Sequence, residues 1–232
     1  MNSCTRFPNE LISLFVFGSH ARGDADSYSD RDLCLFTDDL EYTRLLGVRH
    51  EVARTFDVSV LEVSGYPKAV VYQMAAKGSL FLWHLRLEGR ILHDRDNFAR
   101  DLLASLAPFS HYRNDLGVFR SLLNGISRGY ARPLPATEFD LHMLQSIVRN
   151  TCILLTYAAG RPTFDRKTAF TVAVSLYPQL PMRITEYEEL CKWHLCYVRG
   201  VAPGRLIPDE SETARLIDAV GAVITFAEEI LI

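Results

Sequence analysis

Two aspartates one residue apart, Asp30 and Asp32, follow a Gly-Ser pair, Gly18-Ser19, across a short polar loop. The stretch runs Phe-Val-Phe-Gly-Ser-His-Ala-Arg-Gly-Asp-Ala-Asp-Ser-Tyr-Ser-Asp-Arg-Asp-Leu over residues 15–33. Each part has a chemical use. A small-residue pair at the end of an apolar run lets backbone N–H groups approach phosphates. Two carboxylates at i and i+2 on a strand project from one face and can share divalent ions. Together they suit metal-dependent transfer of a nucleotide.

These residues must be carried by strands on either side. Residues 11–17, Leu-Ile-Ser-Leu-Phe-Val-Phe, read as a buried strand, and residues 32–37 as a second. Residues 19–24 read as a short helix. From Leu40 to Thr55 apolar residues recur at helical spacing, and the β-branched run 57–63 predicts a third strand. Pro67 is placed to open a helix that breaks near Lys77-Gly78 and resumes to Glu88; Arg90–His93 closes as a short strand. Beyond Asp96 only helices are expected, near 97–106, 110–130, 138–159, 166–177, 184–199 and 210–231. Thr137 with Asp140 and Asp209 with Glu212 suit N-terminal caps. Gly160 with Pro162 and Gly200 with Pro203 suit stops. The expected fold class is α+β: a small mixed sheet over residues 1–95, then an all-α bundle over 96–232.

The motif resembles the signature of the nucleotidyltransferase superfamily that includes DNA polymerase β and the aminoglycoside and minimal nucleotidyltransferases. The likeness is carried by Gly18, Ser19, Ala21, Arg22, Gly23, Ser29, Asp30, Asp32 and Leu33 and spans about residues 11–95. It implies transfer of a nucleoside monophosphate from an NTP, ATP above all, to an acceptor hydroxyl, with release of pyrophosphate. Asp30 and Asp32 would be ligands of two Mg²⁺ ions, or Mn²⁺ in their place, because hard cations take oxygen ligands and two of them clamp a phosphoryl transfer. Asp57, in Phe-Asp-Val, fits the third carboxylate, as metal ligand and as general base; Glu62 is its rival at the opposite side-chain phase. Gly18 and Ser19 would bind the β- and γ-phosphates. Arg22 would reach phosphate or pin the loop to a carboxylate, and Ser29 would cap the turn before Asp30. Arg31 departs from the pattern, which favours an apolar residue between the aspartates.

Other groups draw plainer readings. Cys191, His194 and Cys196 have metal-ligand residue types, but only the first two share a helical face, so core cysteines are expected. His84 sits among apolar neighbours as a structural histidine. Arg149, Tyr157, Arg166, Lys167 and Tyr187 are candidates for an acceptor cleft, against a solvated face for each one singly. The helical half has no arginine followed four to six residues later by histidine, the mark of RNA-cleaving helical partners.

Twenty-five Lys and Arg against 28 Asp and Glu, net −3 over 232 residues, give no basic field, so an extended nucleic-acid partner is not expected. No segment approaches a membrane span, no signal peptide is apparent, and five scattered cysteines (Cys4, Cys34, Cys152, Cys191, Cys196) read as reduced thiols of a cytoplasmic protein. The acceptor suggested first is a small molecule of the aminoglycoside class. The alternatives are a protein, adenylylated as by antitoxin-like members, and a non-catalytic nucleotide-binding scaffold. About ten residues precede the first strand, too few for a covering helix. A homodimer, or the helical part, is therefore expected over the bare sheet face.

Overall fold

The computed structural model describes residues 7–25, 29–130, 136–204 and 207–232, the side chain of Tyr130 excepted. Cys4 lies outside them. The chain divides into two compact units, residues 1–110 and 111–232.

The first unit is a four-stranded sheet with helices on both faces. Its strands are β1 (Leu11–Val16), β2 (Leu33–Thr37), β3 (Val63–Pro67) and β4 (Arg90–Asp94). Its helices are α1 (Ser19–Arg22), α2 (Tyr42–Phe56), α3 (Lys68–Ala76), α4 (Leu80–Glu88) and α5 (Phe98–Ala104). The strand order is β3-β2-β1-β4; β1 is antiparallel to both neighbours and β2 is parallel to β3. Alternation sorts the side chains. Leu14, Val16, Leu33, Leu35 and Val63 face Val48, Val52 and Ala53 of α2. Phe15, Cys34 and Phe36 face Val71, Leu82, Leu85 and Leu102, from α3, α4 and α5. Each such aliphatic side chain contributes about 1.5–3 kcal/mol by burial. Leu11 and Leu14 share a face at odd spacing because the β1–β2 register slips between Leu11 and Ser13.

Two expectations need correction. The third strand starts at Val63, six residues later than the β-branched run suggests. Asp57 ends α2 in the left-handed conformation at φ 52°, and residues 60–62 form a single 3-10 turn capped by Ser59. Hydrogen bonds from the Asp57 N–H to Ala53 and Arg54 and from the Ser59 cap outcompete strand propensity here. Second, the sheet has no bare face: α2 covers one side and α3, α4 and α5 the other, which removes the reason for expecting a second copy there.

The second unit is helical: α6 (Tyr112–Tyr130), α7 (Glu138–Ala158), α8 (Arg166–Leu176), α9 (Ile184–Arg199) and α10 (Glu210–Leu231). At the start of α7 the Thr137 hydroxyl accepts from the Asp140 N–H while Asp140 accepts from the Thr137 N–H. Asp209 caps α10 by accepting from Glu212. Gly160 and Gly200 take positive φ beyond α7 and α9, where a side chain would be strained. α7 packs against α6, α8, α9 and α10, which is why it is apolar on most of its circumference. Cys34, Cys152, Cys191 and Cys196 are free thiols; burial pushes the Cys34 thiol up to about 12. Among the described residues no helix is long and apolar enough to cross a membrane.

Candidate active site

The sheet ladder brings the two halves of the motif together. Beyond the last β1–β2 pair, the Phe17 N–H still donates to the Asp32 carbonyl at 3.0 Å, so Gly18 leaves β1 beside Asp32 as β2 begins. Gly18 is buried, at φ 68° and ψ −152°, a region open in practice only to glycine. A Cβ there would lie 2.8 Å from Asp32 Oδ2. The missing side chain is what lets a carboxylate oxygen sit against the backbone of the turn. That cradle suits a hard divalent cation held by Asp32 next to phosphates held by the Gly18-Ser19 turn. α1 spans only four residues, so a phosphate at this turn would be held by backbone N–H groups and the Ser19 hydroxyl more than by a helix dipole.

The loop is fastened at both ends. His20 Nε2 lies 3.2 Å from the Ser29 carbonyl oxygen, tying α1 to the residue before Asp30. The Arg22 guanidinium donates to Glu88 of α4 at 2.8 Å and to Asp24 at 3.2 Å. Of the two roles read for Arg22, this is the loop-pinning contact. His84 Nε2 lies 3.3 Å from the same Glu88 carboxylate, and its ring meets Phe17 edge-on at 5.4 Å. The His84–Glu88 pair escaped the sequence reading; its signal is the i, i+4 spacing on an otherwise apolar helix.

Arg31 is exposed, and its Nη1 donates to the Phe56 carbonyl at the end of α2 at 3.4 Å. A charged residue between the aspartates therefore costs the sheet no buried cation. Asp57 follows that carbonyl, exposed. Glu62 precedes β3, and since Leu33 pairs with Val63 it is the parallel counterpart of Asp32. Its Oε1 accepts from the Arg31 N–H at 3.3 Å, and its Oε2 from the Ser59 N–H at 2.6 Å. The fold thus sets the rival carboxylate against the Asp30–Asp32 segment. Among the described residues no cluster of three or more His, Cys, Asp or Glu side chains is arranged to hold a metal ion.

The remaining candidates fall in the second unit. Cys191 is buried against Gln145 and Tyr187. The His194 Nδ1 meets His142 Nδ1 at 2.9 Å. Tyr187 is buried, accepting from Gln145 Nε2 at 3.0 Å and donating to the Arg166 carbonyl at 2.6 Å, so it has no solvated face. Arg149 donates to the Phe164 carbonyl at 2.6 Å.

Comparison with known proteins bears on the family and the fold. The family model described as Polymerase beta, Nucleotidyltransferase matches residues 4–96. A putative protein adenylyltransferase of Methanocaldococcus jannaschii is 33% identical over 110 residues, covering 44% of this chain and 72% of the relative. The crystal structure of spectinomycin adenyltransferase AAD(9) from Enterococcus faecialis, with ATP and spectinomycin, shares the fold. Its TM-score is 0.53 at 11% identity, over 95% of this chain and 92% of that one. A toxin–antitoxin structure with AMP-PNP matches 52% of this chain and 89% of its own at 15% identity, with a TM-score of 0.33.

Proposed function

The chain belongs to the polymerase β nucleotidyltransferase family, and from that premise we propose that it moves AMP from ATP to an acceptor hydroxyl with release of pyrophosphate. The observation that carries the reading is the Asp32 carboxylate lodged against the side-chain-free Gly18 turn. Asp30 and Asp32 are the residues that would hold Mg²⁺ or Mn²⁺; bound there, the ions neutralise the triphosphate and the developing charge. Gly18 N–H and the Ser19 N–H and hydroxyl orient the β- and γ-phosphates. Arg22, through Glu88, and Ser29, through His20, keep the turn and the aspartate segment in register. The third acidic position, which draws the proton from the acceptor hydroxyl, falls to Asp57 or Glu62. Glu62 has the support of position beside Arg31.

For the acceptor we favour a protein hydroxyl, because the relative with substantial identity is named a protein adenylyltransferase. A small-molecule acceptor of the aminoglycoside class is the second reading, and it has the likeness to the spectinomycin enzyme behind it, a likeness of fold. The test is label transfer from each of the four α-phosphate-labelled NTPs with Mg²⁺, offered cell-extract proteins, aminoglycosides and total RNA. The expected result is label from ATP in the protein pool, absent with Asp30→Asn/Asp32→Asn. Label in the aminoglycoside pool alone reverses the choice of acceptor. ATP binding without transfer to any pool supports the scaffold alternative.

A further inference from the structure

The turn after β1 is held by residues from beyond the motif, along one face of α4. Phe81, His84 and Glu88 stand at i, i+3 and i+7 and so share that face. The Phe17 ring, just before Gly18, meets Phe81 edge-on at 5.5 Å and His84 edge-on at 5.4 Å. Arg22, the last residue of α1, donates from Nη1 to Glu88 Oε2 at 2.8 Å, and His84 Nε2 lies 3.3 Å from the same oxygen. α4 therefore grips the chain on both sides of Gly18-Ser19, at residue 17 by ring packing and at residue 22 by charge. The Phe17 N–H donates to the Asp32 carbonyl at 3.0 Å, so the grip extends to the start of β2.

Two features separate this contact from a solvated surface pair. The Glu88 side chain is 15% exposed and the Arg22 side chain 23%, so water and salt screen the charges less than they would in the open. Glu88 also closes α4, where the helix dipole disfavours a carboxylate, and the contact with Arg22 offsets that local cost. A residue that breaks a local rule in favour of a distant contact is characteristic of a site. With its guanidinium given to Glu88, Arg22 acts on a phosphate through the placement of the turn. The N–H groups of Gly18 and Ser19 are then fixed by neighbours on either side before any nucleotide arrives, which is the condition for preorganised binding.

We infer that the α4 face of Phe81, His84 and Glu88 is a brace that sets the Gly18-Ser19 turn for the triphosphate, with Glu88 a positioning residue acting through Arg22, a role that rests on the reading of the turn as the ATP site. A preformed turn holds the triphosphate alike before and during transfer. The brace therefore governs nucleotide affinity, whereas Asp30 and Asp32 govern the rate of transfer.

The test uses the full chain with Mg²⁺. Calorimetry measures binding of α,β-methylene ATP, which cannot give up AMP, and label transfer to the cell-extract protein pool gives the KM for ATP and the maximal rate. Glu88→Gln is expected to weaken binding of the analogue and raise KM about tenfold, with the maximal rate within about twofold of the wild type. Arg22→Gln is expected to do the same and serves should Glu88→Gln fold poorly. The double variant is expected to be no worse than Arg22→Gln alone, because both act through one contact. Tighter binding by Glu88→Gln would mean that the carboxylate withholds Arg22 from the phosphates, and overturns the brace. A lower maximal rate at unchanged KM and unchanged affinity, in step with a smaller folded fraction, makes the contact merely structural and overturns it too, as does a variant that matches the wild type. Each of these, in a wild type that binds and transfers, leaves the transfer reading standing. If the wild type binds the analogue without transferring label, the transfer reading fails, and the loss of affinity in Glu88→Gln still supports the brace. A wild type that neither binds nor transfers removes both.

Discussion

The two units assemble their charged groups by opposite means. In the first, the candidate site is chain-local: Gly18, Asp30 and Asp32 lie within the passage from β1 to β2, and the ladder between those strands sets Gly18 beside Asp32. In the second, Arg149 of α7 reaches the Phe164 carbonyl before α8 and His142 of α7 meets His194 of α9 at 2.9 Å, contacts that only the packing of helices makes. The first kind of site is written as a motif. The second is written as a fold, with spacings that carry no signal of their own.

The largest expected effect tests the local half of that contrast. Asp32→Asn keeps the shape of the cradle but removes its charge. Label transfer should fall by about 10³-fold, as losing roughly 4 kcal/mol of transition-state stabilisation implies. The melting temperature should stay within a degree or two of the wild type. A variant that retains a tenth of the activity would place the chemistry elsewhere. Next is Gly18→Ala, whose Cβ would meet Asp32 Oδ2 at 2.8 Å from a backbone conformation that alanine avoids. Strain of about 1–3 kcal/mol is expected, with activity down about tenfold or more as the carboxylate is displaced. Loss of stability without loss of activity would separate the turn from the carboxylate.

A smaller effect decides the third acidic position. Asp57→Asn and Glu62→Gln should differ in transfer rate by about tenfold or more, since only one removes a proton-accepting carboxylate from the site. The register of β2 and β3 makes Glu62→Gln the more damaging. Glu62 also accepts from the Ser59 N–H at 2.6 Å, so its variant must be compared at equal folded fraction. A larger loss with Asp57→Asn would place the third carboxylate on the loop after α2.

The reach of the sequence follows the same division. The strands carrying Phe15 and Leu35, the break at Gly78, the Thr137–Asp140 cap and the extents of the long helices were legible, because alternation, helical periodicity and capping are local physics. The third strand was misplaced, because Asp57-Val58-Ser59-Val60 has strand propensity while its hydrogen bonds go to a helix end and a 3-10 turn. Glu88 went unread as the partner of Arg22, since an ion pair across 66 residues leaves no pattern in the chain. Tyr187 has the residue type of an acceptor-cleft candidate, yet its hydroxyl is taken up by Gln145 and the Arg166 carbonyl inside the bundle. The placement of Gly18 beside Asp32 was legible because the two stand at the ends of directly paired strands.

The smallest expected effect tests the packed half of the contrast through pH. His194 in the folded chain is held at about 3, by burial first and then by Arg166, against about 6.5 when unfolded. Between those values the unfolded chain binds a proton that the folded chain does not. Stability present above about pH 6.5 is therefore lost as pH falls, at up to about 1.4 kcal/mol per pH unit for this one group. His194 is only partly buried, so solvent makes that slope a ceiling. Trp193, buried in α9 beside it, reports the second unit if Trp83 is replaced by Phe. Urea unfolding followed at Trp193 should show stability falling between pH 6.5 and 4.5, and His194→Gln should flatten the fall. His142 is shifted the same way, so the variant reduces the slope without abolishing it. An unchanged slope would mean that the imidazoles are not kept neutral by their cationic neighbours, and the electrostatic contrast between the units would reduce to one of sequence spacing.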